Sequence, residues 1–365
     1  MFLKYGTKMS ARDAVDEAKQ AVTPFELEFE EVHWHTVYGI QQHVAERFQD
    51  RDRVLLAGEA AHTHSSGAAQ GMNTGMHDVV SLGWRLSGVL KGFLKPEVLA
   101  NYSHERKAVA EQLIDNDRVI SSLISGVIPE RFKNRDEDPT VLLWEFMQKT
   151  AGFTMGLGIS YPPNLLNDVE NSYPPLSILP GHRAPDTMVY KPHNTKQAVR
   201  LYELTKNNGK FKVVVFAGRQ PDTASSLRTL RTDMDHQAPG FAHVVDFLTI
   251  VAGFALGFDE HLPVRVFGRA YWDIDSSAHE SYGVSVECGA IAVLRPDGIL
   301  GFVSLLERFG KVVEYLSRLV VAKEPVSGNG HANGKQLGNF MGENENNLAA
   351  VPLENGSMEE GTAMR

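Results

Sequence analysis

The apolar positions change their period several times along the chain. Phe25, Leu27 and Phe29 alternate with Glu26, Glu28 and Glu30, a spacing of two that predicts a strand with one solvated face. Arg53-Val54-Leu55-Leu56-Ala57 is a compact apolar run closed by Gly58 and predicts a buried strand. From Asn73 onward Met76, Val79, Val80, Gly83, Leu86 and Leu90 fall at helical spacing until Gly92 and Pro96 interrupt. A second helix is predicted from Pro96, a favoured first helical position, through Tyr102, Val109 and Leu113 to about Asp117.

Residues 160 to 190 are rich in proline and loop formers, and the domain boundary is placed there. The expected division is 1–160, a linker over 161–190, a second domain over 191–322 and a disordered tail over 323–365. The second unit is expected to hold strands at 211–217, 243–253, 264–272, 289–295 and 299–306, a helix near 224–235 and a closing helix from about 308. Arg295-Pro296-Asp297-Gly298 is a turn signal between the last two strands. This order is that of a thioredoxin-like sandwich, and the fold class expected for the chain is α/β (α+β).

Composition narrows the chemistry. The 365 residues carry a formal charge of −9, which argues against nucleic acid or an anionic membrane as the partner. A single cysteine, Cys288, leaves no pair for a disulfide or a CxxC redox site and fits a cytoplasmic setting. The most apolar window, 247–258, is too short to cross a bilayer.

The stretch AGEAAHTHSSGAAQGMNTG, residues 57–75, joins the predicted buried strand to the helix, where open α/β sheets bind ligands. Its small residues let backbone N–H groups approach a phosphate or the electron-rich edge of a heterocycle, and Glu59 could accept from a polyol. A tight connection capped by Asn73 or Thr74 is the plainer reading of the same residues. His33 and His35, or His62 and His64, have H-x-H spacing without an accompanying carboxylate motif, and no metal is expected. His62 and His64 are weak acid/base candidates, Trp34 and Tyr38 could meet an aromatic substrate, and Asp78 and Arg85 read as surface or interdomain contacts.

The run VLLAGEAAHTHSSGAAQGMNTGMHDVVSLGWRLSGVLKG with LANYSHERKAVAEQLIDND resembles the second flavin motif and following helices of the single-component FAD-dependent aromatic monooxygenases. Within them it is most similar to the phenol 2-monooxygenase (phenol hydroxylase) class. WHTVYGIQQHVAERF, GFTMGLGISYPPN and AVLRPDG agree. The resemblance implies a partial FAD-monooxygenase domain of the p-hydroxybenzoate-hydroxylase kind, with its motif at 54–75, followed by a thioredoxin-like dimerisation domain. It implies Gly58 and Glu59 at the ribityl chain of FAD, and Gln70, Gly71, Met72 and Asn73 at the ring. It also implies NADPH as co-substrate, hydroxylation of a small aromatic substrate by O2 and a homodimer formed through the C-terminal part. Glu59 replaces the usual aspartate, Ser66 a proline and Ala69 a glycine. Neither the GxGxxG unit that seats the diphosphate nor the later Asp-Gly motif is found, and Gly156-Leu157-Gly158 does not supply the former. FAD is therefore expected to be held weakly by this chain. The alternatives are a flavin-independent cyclase, isomerase or dehydratase on an aromatic or polyketide-like metabolite, using Glu59, His62 and His64, or a non-catalytic dimerisation partner.

Overall fold

The computed structural model describes residues 9–37, 39, 41–51, 53–67, 69–192, 194–253 and 267–321. Met1–Glu324 group as one compact unit, and Pro325–Arg365, which contain nearly all of the expected tail, lie outside the described residues. The structure mixes helices and sheet as expected.

Helix α1 (Ala11–Ala21) opens with a capping box, in which the Ser10 hydroxyl accepts from Asp13 N and the Asp13 carboxylate accepts from Ser10 N; none of its residues is buried. Short strands follow. β1 (His43–Val44) pairs antiparallel with β4 (His62–Thr63), and β2 (Gln49–Asp50) with β3 (Val54–Leu55). The strand expected at 25–29 does not form. Phe25 is 78% exposed and no neighbouring chain supplies the ladder bonds that alternation alone cannot provide. The run at 53–57 is likewise not buried: only Val54 and Leu55 are in strand conformation, and Val54 is 55% exposed on a two-stranded ribbon.

Helix α2 (Gly71–Leu90) and helix α3 (Pro96–Ile124) run as the spacing predicted, α3 extending two turns further, and helix α4 (Pro139–Thr154) packs Leu142 and Phe146 against the end of α3. Pro96 sits in the first turn of α3, where its missing N–H has no partner to lose. Gly88 is where α2 meets the turn into α3: a Cβ there would stand 2.3 Å from Leu94 Cδ1.

The remainder builds one seven-stranded sheet in the order β11-β10-β7-β8-β9-β5-β6. Its strands are β5 (Met188–Lys191), β6 (Asn194–Arg200), β7 (Phe211–Gly218), β8 (Val245–Ala252), β9 (Arg269–Asp273), β10 (Ala290–Leu294) and β11 (Leu300–Ser304). β7, β8 and β9 are parallel neighbours and the other pairs are antiparallel. Every residue of β7 is buried, and its alternate side chains enter different cores. Val213 and Val215 join Trp84, Leu230 of helix α6 (Ala224–Gln237) and Leu316 of the last helix, whereas Val214 and Phe216 join Leu201 and Tyr282. The short helices α5 (Leu201–Leu204) and α7 (Ser277–Tyr282) lie on that second face, and α8 (Phe309–Leu319) closes the first. Residues 254–266, which hold the start of the strand expected at 264–272, are outside the described set. The predicted turn is present, Gly298 N donating to Arg295 O at 2.9 Å with Gly298 at a φ of 78°.

Candidate functional site

The stretch between β3 and α2 is held from beneath by two buried aspartates. Asp78, two turns into α2 and fully buried, accepts from Gly58 N at 2.8 Å, from His62 Nε2 at 2.9 Å and from Arg106 Nε at 2.6 Å. Burial works to raise its pKa, yet the bonds from His62 and Arg106 and the Gly58 N–H together hold it below the ordinary carboxylate range. Asp117 of α3 does the same for the far side of the loop, accepting from Ser65 N at 2.7 Å, from the Ser65 hydroxyl and from Gln42 Nε2 at 2.6 Å.

These anchors decide where the sequence-predicted residues lie. Gly58 is buried with a φ of 59°, a conformation open to glycine at no steric cost, and its Cα is 3.7 Å from where a Cβ on Gly75 would stand. The turn therefore rides directly on the first turn of α2. Glu59 is exposed and reaches over the helix start: a Cβ on Gly71 would lie 3.4 Å from Glu59 Oε1 and 3.6 Å from His64 Nε2. The helix is preceded by Gln70, not by Asn73 or Thr74 as the plainer reading had it, and no side chain caps its leading N–H groups. Gln70 is buried, Met72 is 70% exposed and Asn73 is exposed. Gly58, Glu59, His64, Gly71 and Gly75 thus meet at one place, an acceptor facing a row of donors across a gap that any side chain at 71 would enter.

The histidines separate. His62 is buried and committed to Asp78, while His64 Nδ1 pairs with Ser65 O at 2.7 Å, leaving its Nε2 edge at the helix start. His33 and Trp34 are exposed, and Tyr38 lies outside the described residues. Among the described residues no group of three or more histidine, cysteine, aspartate or glutamate side chains could hold a metal ion.

Asp78 and Arg85, expected as surface or interdomain contacts, are both completely buried, and Arg85 lies 3.6 Å from Asp297. Arg85 donates to Glu105, whose carboxylate also takes both terminal nitrogens of Arg295 at 2.7 and 2.9 Å and the amides of Asn164 and Asn167 at 3.0 and 2.8 Å. Arg295 is shared with Asp297 at 2.7 Å, which also accepts from Trp84 Nε1 at 3.0 Å. Burial would raise the Asp297 pKa, but Arg295 and Arg85 carry it down to about 2. Arg106 Nη1 reaches Tyr161 at 3.0 Å. A polar interior therefore links the loop at 57–67 to the turn at 295–298. Its members escaped the sequence reading because charged residues at helical spacing read as a solvated face; the apolar residues flanking Asp78 and Arg85 were the only signal.

The residues at the helix start suit part of FAD: a carboxylate for polyol hydroxyls, open N–H groups for the acceptor edge of a ring, and the positive end of a helix. Known proteins agree. Residues 4–117 match a family described as FAD binding domain, and residues 262–324 match one described as phenol hydroxylase, C-terminal dimerisation domain. The chain is accordingly similar to FAD-dependent monooxygenases, with one segment that matches an FAD binding domain. Among particular relatives, the FAD-dependent monooxygenase terD of Aspergillus terreus is 27% identical over 85% of this chain and 56% of its own. The phenol 2-monooxygenase fsqG of Aspergillus fumigatus is 28% identical over 85% and 55%. Among solved structures, CabE, an aromatic hydroxylase from angucycline biosynthesis, shares the fold with a TM-score of 0.53 and 22% identity, over 82% of this chain and 50% of its own. The chain spans about half the length of the curated relatives it matches. Among the described residues no helix is long and apolar enough to cross a membrane.

Proposed function

We propose that this chain forms the ring-binding and dimerising part of an FAD-dependent monooxygenase that hydroxylates a phenolic substrate with NADPH and O2. The observation that carries the reading is the Asp78-held Gly58–Glu59 turn lying over the uncapped start of α2. When bound, FAD supplies the electron transfer and the oxygen chemistry. In this reading the Glu59 carboxylate accepts from the ribityl hydroxyls. The N–H groups of Gly71, Met72 and Asn73 donate to the acceptor edge of the ring, where negative charge is favoured by the helix dipole. Asp78 and Asp117 contribute by fixing the loop before the cofactor arrives, so that little ordering cost falls on binding. His64 stands where it could exchange a proton at the helix start; His62, enclosed beside Asp78, orients the turn.

The division into 1–160 and 191–322 belongs to the same reading. The β11-β10-β7-β8 part of the sheet supports a thioredoxin-like description of the second unit. The dimerisation-domain match at 262–324 supports a homodimer through that unit. A cytoplasmic setting is in keeping with one cysteine in 365 residues.

The test is the visible spectrum of the purified full chain titrated with FAD, followed by NADPH oxidation and O2 uptake with and without phenols. Quenching of FAD fluorescence and phenol-stimulated oxidation are expected. A chain that takes up no FAD at millimolar concentration overturns the reading. Turnover of an aromatic metabolite without flavin, lost in Glu59→Gln, would instead favour the acid/base alternative that the meeting of Glu59 and His64 at Gly71 supports.

A further inference from the structure

On the face of α2 turned away from Gly71, Gly75 and the Glu59 turn, the helix covers a cavity of about 320 Å³. Positions 73, 77 and 80 lie on the opposite side of a 3.6-residue helix from 71, 75 and 78, so this space opens on the other face of α2 from the Glu59 turn and borders the proposed cofactor cradle at Gln70 and Asn73, which also line it. Its walls are apolar, formed by Val80, Val109, Phe153 and Ile159. The polar residues lining it include Asn73, Thr74, His77 and Arg106, and no carboxylate is among them. The volume is at the small end of ligand pockets, enough for one ring and a short polar group.

Two features call for an anion. Arg106 is fully buried, and although Nε and Nη1 are bonded to Asp78 and Tyr161, its Nη2 has no hydrogen-bond partner among the described residues. A buried guanidinium N–H without an acceptor is a costly arrangement that a ligand oxygen would relieve. His77, half-buried in α2, has no hydrogen bond among the described residues and stands against Gly156, where a Cβ would come within 2.7 Å of its Nε2. Arg183 Nε holds that segment by donating to Gly156 O at 3.0 Å. The field at His77 is set by Arg106 from α3 and Arg183 on one side and by Asp78 and Asp297 on the other. Burial first, then the two guanidiniums, keep its pKa below the ordinary histidine value.

We propose that this cavity is a binding site for a small apolar carboxylate, a single ring or short branched chain whose body lies among Val80, Val109, Phe153 and Ile159 and whose carboxylate is received by Arg106 and His77. The negative charge of such a ligand opposes the two guanidiniums at His77, so the imidazole gains proton affinity when the site fills. Uptake therefore strengthens as the pH falls through the range in which the imidazole of the filled site charges, so long as the carboxylate stays ionised.

The experiment uses the full chain with three probes of equal ring size, benzoate, benzyl alcohol and benzylammonium, titrated by calorimetry with and without FAD. Benzoate is expected to bind at least tenfold more tightly than benzyl alcohol, and benzylammonium not at all. Val80→Trp, a half-exposed position that touches neither Asp78 nor the Glu59 turn, should cost benzoate more than tenfold in affinity with FAD uptake unchanged. His77→Phe should remove the pH dependence, and the His77 ring resonance should titrate at higher pH once benzoate is added. Equal affinity for benzoate and benzyl alcohol, absence of binding, or benzoate affinity unaltered in Val80→Trp overturns the proposal. FAD uptake is read separately, so the two readings fail independently.

Discussion

Asp78 receives hydrogen bonds from three segments that are far apart in sequence, and each is charge-assisted. Replacing it with asparagine leaves Arg106 buried without its counter-ion, and Asp78→Asn is expected to cost about 3–5 kcal/mol in urea unfolding. FAD affinity should fall at the same time by about tenfold, because the Gly58 N–H loses the acceptor that fixes the turn. Ala69 acts in the opposite sense. Ala69 holds a φ of 52°, in the left-handed region that a Cβ disfavours. Ala69→Gly should stabilise the chain by about 1 kcal/mol in the same measurement, the relief of steric cost outweighing the added freedom of the unfolded chain. Glu105 and Asp297 set an acid limit. Both carboxyls are held below the ordinary range in the folded protein, Asp297 at about 2, so more protons bind the unfolded chain as the pH drops. The stability they contribute is complete above about pH 4.5 and disappears as the pH falls toward 2, which acid unfolding followed by circular dichroism reads directly.

Helix α2 serves three neighbours at once: the Glu59 turn on one face, the cavity on another, and the sheet core through Trp84. Its first residue is the test of the cradle. Gly71→Val would place methyl groups beyond a Cβ already 3.4 Å from Glu59 Oε1, and FAD affinity is expected to drop more than tenfold while thermal stability changes little. At this scale the sequence was informative wherever periodicity and burial coincide. The helices at 71–90 and 96–124, the strands at 211–218 and 300–304 and the turn at 295–298 follow from spacing and turn chemistry. Spacing misleads at the edges. Val54 and Phe25 are apolar and yet exposed, because a strand is buried by its neighbours and not by its own composition. The polar interior was illegible for the converse reason: Arg85 and Arg295 satisfy Glu105, and Arg106 satisfies Asp78, across 20 to 190 residues, and spacing along the chain does not show the geometry that removes them from water.

For the molecule as a whole, the match at 262–324 and the closing helix α8 bear on assembly. Sedimentation equilibrium is expected to give twice the chain mass. The centre of the fold is also unusual in its composition. Most of the sheet is apolar on both faces, yet its contact with α2 and α3 joins, to the apolar packing of Trp84 and Val98, a buried polar set of Arg295, Glu105 and Asp297. Such a seam fixes orientation through directional bonds where apolar contact alone would tolerate sliding.

The Arg295–Glu105 pair spans 190 residues. During synthesis, a nascent chain that has emerged only as far as Tyr190 holds the buried Glu105 carboxylate but neither the Arg295 guanidinium that donates to both its oxygens nor Asp297. Its helices have no reason to settle around that charge until the final hairpin leaves the ribosome. A translation product halted before Arg295 is thus expected to be digested rapidly by protease, and one halted past Leu319 to resist, which would make the completion of this protein a late and abrupt event.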